Sequence, residues 1–325
     1  MTEKQRLRAM MDEWREDELG VEQSLGLLNR FKSETSQFSN SLCEQLRIVL
    51  EPQLSQQLQG DYRTGKRLNM KKVISFLASH YRNDKIWLRR TMPSKRDYKI
   101  LLAIDDSLSM NEQNLGFFSL ESLVTMVEAL NKLEVGSVAV ARIRSRMEML
   151  LSFEDSYSNE KSAFILSQFD FKHSEKNSHD TAMSNFVRDA NKLLDVQNSI
   201  SLSHGSTNCP FVIVLSDGRF NKNNVRKYVE EAAEKRYLYI FVILDAPSQK
   251  ETKAQSTKSQ GGIMALRSAS KQIDAETGRS EMRLVPYLKD FPFSYYIIVR
   301  DLHQLPNALS QILVQWFSTM SGSGQ

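Results

Sequence analysis

Two runs of apolar residues, each followed directly by polar and acidic residues, constrain the fold of this chain most strongly. The first run spans residues 99–104, apart from its opening lysine, and the second spans residues 211–215. An uninterrupted apolar run, without alternating polar residues, is typical of a parallel strand that is buried on both faces. We therefore expect both runs to be central strands of a parallel sheet.

Segments with helical and strand patterns alternate after residue 99, and this alternation predicts the fold class. Strands that alternate with helices are typical of an α/β fold with a doubly wound, mostly parallel sheet. Ligands of such sheets bind at the carboxyl ends of the strands. The predicted strands are residues 99–104, 138–143, 148–153, 211–215, 237–244 and 295–299, and the predicted helices are 120–130, 186–194, 223–236 and a last one that begins at Leu305-Pro306.

The first hundred residues have a helical pattern and precede this α/β region. One apolar stripe consists of Phe38, Leu42, Leu46 and Val49 and is ended by Pro52, and a shorter one consists of Val73, Ile74 and Leu77. These spacings place the apolar residues on one face of a helix. We predict a helical lead-in and basic linker over residues 1–96, the α/β domain over 97–320 with an inserted loop at about 248–285, and a disordered tail over 321–325.

Charge is unevenly distributed along the chain, whose net charge is +4. Residues 60–99 contain twelve Lys and Arg against three Asp, so this segment alone carries +9. Such a segment is either a solvated helix face with a linker or a contact surface for RNA or an acidic protein. The chain has two cysteines, Cys43 and Cys209, and no apolar run long enough to span a bilayer, so we expect a reducing compartment and no membrane.

The strand at residues 99–104 leads into the sequence Asp-Asp-Ser-Leu-Ser, where we predict a metal site. In an extended loop, side chains at i, i+2 and i+4 point the same way, so Asp105, Ser107 and Ser109 converge while Asp106 turns toward the following segment. Asp217 follows the strand at residues 211–215 in the same manner. One carboxylate and two hydroxyls, with a second carboxylate nearby, suit Mg²⁺ or another divalent cation such as Mn²⁺ or Ca²⁺.

This combination of Asp-x-Ser-x-Ser after one apolar strand and Asp-Gly after another resembles the metal site of von Willebrand factor A domains. The resemblance implies that Asp105, Ser107 and Ser109 bind the metal, that Asp217 acts through water, and that a partner's Glu or Asp takes the open position. It also implies a threonine ligand from a loop before a helix. Thr181 matches that position best, and Thr207 is the alternative.

A second resemblance is more specific and extends from about residue 42 to residue 317. The motifs at residues 60–72, 84–90, 93–96 and 101–107 resemble the C-terminal end of the giant dynein-related AAA+ ATPases of large ribosomal subunit assembly. The resemblance implies a nuclear protein, found in the nucleolus and nucleoplasm, whose metal site binds ubiquitin-like domains of assembly factors on the pre-60S particle. It implies a binding module without catalytic residues, since the ATPase ring lies outside this chain.

A Mg²⁺-dependent phosphoryl-transfer enzyme using the same strand-end acids is the alternative. Such enzymes need an acid that orients the nucleophile and a Lys or Arg at the transferred group. Asp105-Asp106-Ser107 lacks an Asp-x-Asp arrangement, and Arg219 is the one candidate cation in the adjoining sequence. The residues therefore favour metal-dependent binding over catalysis.

Overall fold

A computed structural model describes most of the chain. The described residues are 21–50, 58–82, 84–90, 96–112, 115–134, 136–172, 179–203, 207–245, 263, 267–273 and 280–322. The predicted tail at 321–325 falls mostly outside these residues, as do most of the first half of the inserted loop and Pro52.

Helices and strands follow one another along the described chain in an order that agrees with the predicted alternation. Two short 3₁₀ helices flank the last strand. In chain order the elements are α1 (Val21–Leu50), β1 (Leu58–Tyr62), β2 (Arg67–Leu68), α2 (Met70–Ala78), β3 (Trp87–Arg90), β4 (Arg96–Asp105), α3 (Leu108–Glu112), α4 (Leu115–Leu133), β5 (Gly136–Ile143), β6 (Met147–Leu151), α5 (Asn159–Ser167), α6 (His179–Ser203), β7 (Thr207–Ser216), α7 (Lys222–Glu234), β8 (Leu238–Leu244), β9 (Arg267–Ile273), β10 (Ser280–Pro286), β11 (Tyr295–Val299) and α8 (Leu305–Gly322).

The main sheet has six strands in the order β11-β8-β7-β4-β5-β6. All neighbouring pairs are parallel except β5 and β6, which are antiparallel. Strand β4 lies between β7 and β5, so the chain order reverses there. The predicted doubly wound, mostly parallel sheet is confirmed, and the predicted metal-site sequence leaves this central strand at its carboxyl end.

Each face of the sheet is covered by its own layer of helices, and alternate residues of β4 point into the two layers. Ile100, Leu102 and Ile104 pack with α1, α4, α5 and α8. Leu101 and Ala103 pack with α6 and α7 on the opposite face. Because both faces are buried, every residue from 100 to 104 must be apolar, which explains the run in the sequence.

The N-terminal helix α1 belongs to the first of these layers. Its residues Leu28, Phe31, Leu42 and Leu50 have no exposed surface and share a core with the helices on that face of the sheet. A helical segment before the α/β region is thereby confirmed, although it packs into the same core; the boundary at residue 97 stays a prediction. None of the helices in the described part of the chain is long and apolar enough to cross a membrane.

Residues 58–90, within the predicted helical lead-in and basic linker, contain strands as well as a helix. They form a three-stranded antiparallel sheet in the order β1-β3-β2, with α2 between β2 and β3. Close backbone approach holds the sheet together, since a Cβ at Gly65 would lie 2.4 Å from the carbonyl oxygen of Leu88. The helix predicted from Val73, Ile74 and Leu77 is present as α2, but it contains no buried residue.

The inserted segment predicted at about 248–285 is not wholly irregular. Its second half contains β9 and β10, which pair as an antiparallel hairpin from Arg267–Pro286 to Ile273–Ser280. Few large apolar residues mark these strands, so period-two patterning did not reveal them. Ile263, the described residue between β8 and β9, is buried against the second layer of the core.

Candidate metal centre

Asp105, Ser107 and Ser109 meet where β4 turns into the short helix α3. The amide of Ser107 donates a hydrogen bond to Asp105 Oδ1 at 3.1 Å. The hydroxyl oxygens of Ser107 and Ser109 lie 2.9 Å apart. The structure thus brings together the three side chains that the i, i+2, i+4 spacing selected, and their role as metal ligands stays a prediction.

Asp217 is placed beside this cluster because β7 is the parallel neighbour of β4. Ile104 is paired with Leu215, so the next residue of β7, Ser216, lies beside Asp105. The Ser216 hydroxyl donates to Asp105 Oδ2 at 2.7 Å, and its oxygen lies 3.5 Å from Asp217 Oδ1. Sequence reasoning missed Ser216, although its place one residue before Asp217 at the end of a central strand was a usable signal.

The turn after Asp217 requires glycine and places the following amides. Gly218 has a φ of +76°, and a Cβ there would lie 2.8 Å from Ile263 Cδ1. The Gly218 amide donates to the Ser216 hydroxyl at 3.1 Å, and the Arg219 amide donates to Asp217 Oδ1 at 3.0 Å. The Arg219 guanidinium lies farther off, with its Nε 3.9 Å from Asp217 Oδ2. This tight turn therefore keeps the Asp217 carboxylate at the site.

The electrostatics of the two acids match the donor set of a cation site. Burial, and next the negative charge of Asp217, raise the pKa of Asp105 to about 7, while hydrogen bonds from Ser216 and Ser107 oppose the rise. A cation between two such acids favours their ionised forms. Within the described residues no three His, Cys, Asp or Glu side chains cluster; beside the two carboxylates, the oxygen atoms on offer here are the hydroxyls of Ser107 and Ser109. Such an oxygen-only set fits Mg²⁺ and similar hard cations.

Asp106 has a different role from its neighbour. It is fully buried, and it accepts hydrogen bonds from the Phe171 amide and from Arg144 Nε, both at 2.8 Å. Arg144 also donates to Asp170 at 2.8 Å. The expectation that Asp106 turns toward the segment directly after it is wrong, because its carboxylate instead holds the distant loop that follows α5.

A further strand-end acid, Asp245, was missed by the sequence analysis. It follows the apolar strand β8 and is 4% exposed, and Arg300 Nε donates to its Oδ2 at 3.0 Å. The Ile263 amide donates to its Oδ1 at 3.3 Å. Its signal was the same as for Asp105, an acid directly after a continuous apolar run. Its arginine partner indicates a structural role.

The two candidate threonines lie at opposite ends of the sheet. Thr181 is exposed in the first turn of α6, and the nearby Asn185 side chain donates to the carbonyl of Ser145, in the loop at the carboxyl end of β5, at 3.2 Å. Thr207 begins β7 and is paired with Arg96, at the amino end of both strands. Nine residues of strand separate it from Ser216, about 30 Å. The geometry favours Thr181, whose role as a ligand remains a prediction.

The order of the main sheet, its antiparallel edge strand β6 and the Asp-x-Ser-x-Ser sequence after its central strand define a von Willebrand factor A domain with a metal-ion-dependent adhesion site motif. The chain is 35% identical over 302 residues to midasin of Dictyostelium discoideum and 33% identical over 290 residues to midasin of Giardia intestinalis. These matches cover 92% and 89% of the chain. The chain belongs to the midasin family.

The matched segment is a small part of these relatives, covering 5% of the Dictyostelium protein and 6% of the Giardia protein. No model of a protein family matches the chain. Solved structures resemble it only distantly. BatB from Bacteroides thetaiotaomicron is 14% identical, with a TM-score of 0.42 over 68% of this chain and 99% of that protein. Mussel proximal thread matrix protein 1 with a zinc-occupied adhesion motif is 12% identical, with a TM-score of 0.40 over 69% and 48%.

Proposed function

We propose that this chain is a metal-ion-dependent protein-binding domain that holds a carboxylate of a partner. One observation carries the proposal: Asp105 and Asp217, at the ends of two central strands, are joined through the Ser216 hydroxyl. Two neighbouring carboxylates at the ligand-binding edge of a sheet, Asp105 half-buried and Asp217 buried, favour a bound cation.

Each side chain would have a role in such a site that follows from its chemistry. Asp105, Ser107 and Ser109, with Thr181, supply hard oxygen ligands for Mg²⁺, or for Mn²⁺ or Ca²⁺ in its place. Asp217 adds charge from the second strand and acts through water, as the family resemblance implies. When bound, the cation supplies a Lewis-acidic position that a partner's Glu or Asp can occupy. Ser216 and the Ser107 amide orient the Asp105 carboxylate toward that position.

Membership of the midasin family supports a specific class of partner. We propose that the bound carboxylate belongs to a ubiquitin-like domain of a ribosome assembly factor on the pre-60S particle. The full-length protein, an AAA+ ATPase in the nucleus, would use this domain to hold the factor while the factor is removed.

The same contacts disfavour the phosphoryl-transfer alternative. The Asp106 carboxylate, which would have to act beside Asp105, is engaged by Arg144 and the Phe171 amide. Arg219, the candidate clamp for a phosphoryl group, contributes its amide to Asp217 and carries its guanidinium 3.9 Å from that acid. Both features suit a static binding site better than transfer chemistry.

Calorimetry with the 325-residue chain and a ubiquitin-like domain of a large-subunit assembly factor tests the proposal. We expect binding in Mg²⁺, loss of binding in EDTA, and loss of binding for Asp105→Ala with unchanged circular dichroism. Asp155→Ala, which removes an exposed acid, is the matched control and should bind normally. Affinity that persists in EDTA would sink the metal bridge, and affinity that survives removal of every exposed acid at the partner's contact surface would sink the carboxylate part.

A further inference from the structure

Helix α2 presents an apolar stripe to solvent. Met70, Ile74 and Leu77 are 72%, 73% and 54% exposed, and Tyr81, just beyond the helix, is 66% exposed. The spacing of four and three residues places Met70, Ile74 and Leu77 in a line on one face of the helix. From Met70 to Leu77 such a line is about 10 Å long at the helical rise. A contiguous apolar surface of this kind on a soluble protein marks an interaction site.

The stripe is held in place from beneath and at its end. Val73 and Phe76 are half-buried on the other side of α2. The Tyr81 amide donates to the Phe76 carbonyl at 3.0 Å, and His80 and Tyr81 have φ values of +52° and +67°. The rings of Phe76 and Tyr81 meet edge to face, 5.1 Å apart. This left-handed end of the helix fixes the Tyr81 ring against Phe76, so the stripe itself ends at Leu77.

Positive charge predominates in the segment that carries the stripe. Among the described side chains of residues 60–88 there are seven Lys and Arg and one acid, Asp84. That acid is paired with Arg63 at 3.1 Å. Lys71 and Lys72 lie on α2 itself, and Lys66 and Arg67 directly precede Leu68, which is 41% exposed. An apolar line bordered by cations is complementary to an apolar line bordered by acids.

We propose that this surface, the exposed face of α2 with its flanking cations, is a docking site for an acidic amphipathic helix of a protein partner, distinct from the metal centre. A helix bound in this mode places side chains at i, i+3 or i+4, and i+7 against a complementary apolar strip. The three stripe residues are Met, Ile and Leu, whereas binding of single-stranded RNA relies on stacking against aromatic rings. A nine-residue helix also buries little surface in a bilayer.

Fluorescence anisotropy of two labelled peptides with the full 325-residue chain tests this proposal. One peptide consists of Glu and Leu with the leucines at helical spacing, and the second has the same composition with that spacing scrambled. We expect the chain to bind the first about tenfold more tightly than the second, because only the first forms a continuous apolar face. EDTA should leave both affinities unchanged, so the outcome does not depend on the proposed metal site.

Ile74→Glu provides the decisive variant, because it changes an exposed side chain and should not disturb folding. We expect it to weaken binding of the first peptide about tenfold or more, since it places a buried acid against the peptide's acids. Ile48→Glu is the matched control: Ile48 is also a helical isoleucine, 71% exposed against 73% for Ile74, and its change should leave binding within about twofold.

Other results overturn the proposal. Equal binding of both peptides, equal effects of the two glutamate variants, or no binding of either peptide would each contradict it. Oligouridine RNA, or vesicles of phosphatidylserine and phosphatidylcholine, provides the comparison. If either of these binds more tightly than the first peptide and is unaffected by Ile74→Glu, the cations serve a nucleic acid or a lipid surface instead.

Discussion

Four acids lie at the carboxyl edge of the main sheet, and they fall into two pairs with different partners. Asp106 and Asp245 are buried and each accepts a hydrogen bond from an arginine side chain, Arg144 at 2.8 Å and Arg300 at 3.0 Å. Asp105 and Asp217 adjoin each other and are bridged by the Ser216 hydroxyl. Aspartates at the same edge of the sheet thus have two kinds of partner, either an arginine side chain or another aspartate.

This difference separates acids that stabilise the fold from acids that attract a ligand. A buried carboxylate with an arginine partner is neutralised within the chain, and removing that partner leaves an uncompensated charge. Neighbouring carboxylates that share a hydroxyl keep their mutual repulsion, which adds to the effect of burial in raising the pKa of Asp105. Position at a strand end therefore indicates where a ligand binds, and the partner of each acid indicates which acids bind it.

The largest expected effect comes from breaking the Asp106 ion pair. Arg144→Met should lower the free energy of unfolding by about 3 kcal/mol, because it removes the closer cation of the fully buried Asp106 and leaves that acid with Arg142 at 3.8 Å. Urea denaturation followed by circular dichroism measures this loss. Arg146→Met, which alters an exposed arginine of the same loop, is the matched control and should change stability little. Equal losses for the two variants would show that Asp106 does not depend on Arg144.

Removing the charge of Asp105 should stabilise the metal-free chain, whereas Arg144→Met should destabilise it. Its pKa is about 7 in the folded chain against an ordinary 3.8, so the folded state retains a proton that the unfolded state releases at intermediate pH. The contribution of Asp105 to the stability of the metal-free chain should therefore be fully present below about pH 4 and be lost as the pH rises toward 7. Asp105→Asn should abolish this loss and stabilise the metal-free chain at pH 8 by about 2 kcal/mol, a discounted figure because Asp105 keeps some solvent access.

Thermal melts in EDTA at pH 4 and pH 8 measure this effect, with Mg²⁺ added to a second set. Mg²⁺ should raise the melting temperature of the wild type at pH 8 and leave Asp105→Asn unchanged. Two results together would contradict the electrostatic distinction between the two pairs of acids. The wild type would melt at the same temperature at both pH values, and Asp105→Asn would be no more stable than the wild type at pH 8.

The smallest expected effect comes from the Asp245 pair. Arg300→Met should destabilise the chain by about 1 kcal/mol, less than Arg144→Met, because the Arg300 side chain is 51% exposed and screened by solvent. Calorimetric titration of Mg²⁺ should show no change in its affinity. A clear loss of Mg²⁺ affinity would place Asp245 among the acids that hold the ligand, and the division into pairs would fail.

Strands buried on both faces were the most predictable part of the fold. The strands predicted at 237–244 and 211–215 match β8 and the inner part of β7. Burial on both faces requires apolar residues at every position, so the pattern is local and visible in the sequence. The grouping of Asp105, Ser107 and Ser109 was also predictable, because their spacing is a local feature of the sequence.

Features that depend on contacts between distant residues could not be predicted in this way. The ends of β4 and β7 are recognisable in the sequence, but the register that places Ser216 beside Asp105 arises only in the folded sheet. The pairing of Asp245 with Arg300 joins residues 55 apart. The strands of residues 58–90 and the β9–β10 hairpin lack a strong apolar alternation in the sequence, so no period-two pattern marked them.

The central place of β4 has a mechanical consequence. Its backbone is bonded to β5 over residues 98–105 and to β7 over residues 96–104, on both sides at once. A load applied at Asp105 along the strand would shear all of these hydrogen bonds together, since they run across the strand direction, instead of opening them one after another. How long such an attachment withstands tension depends on the rate at which the sheet unfolds. This unfolding rate is independent of the equilibrium affinity of the site for its ligand.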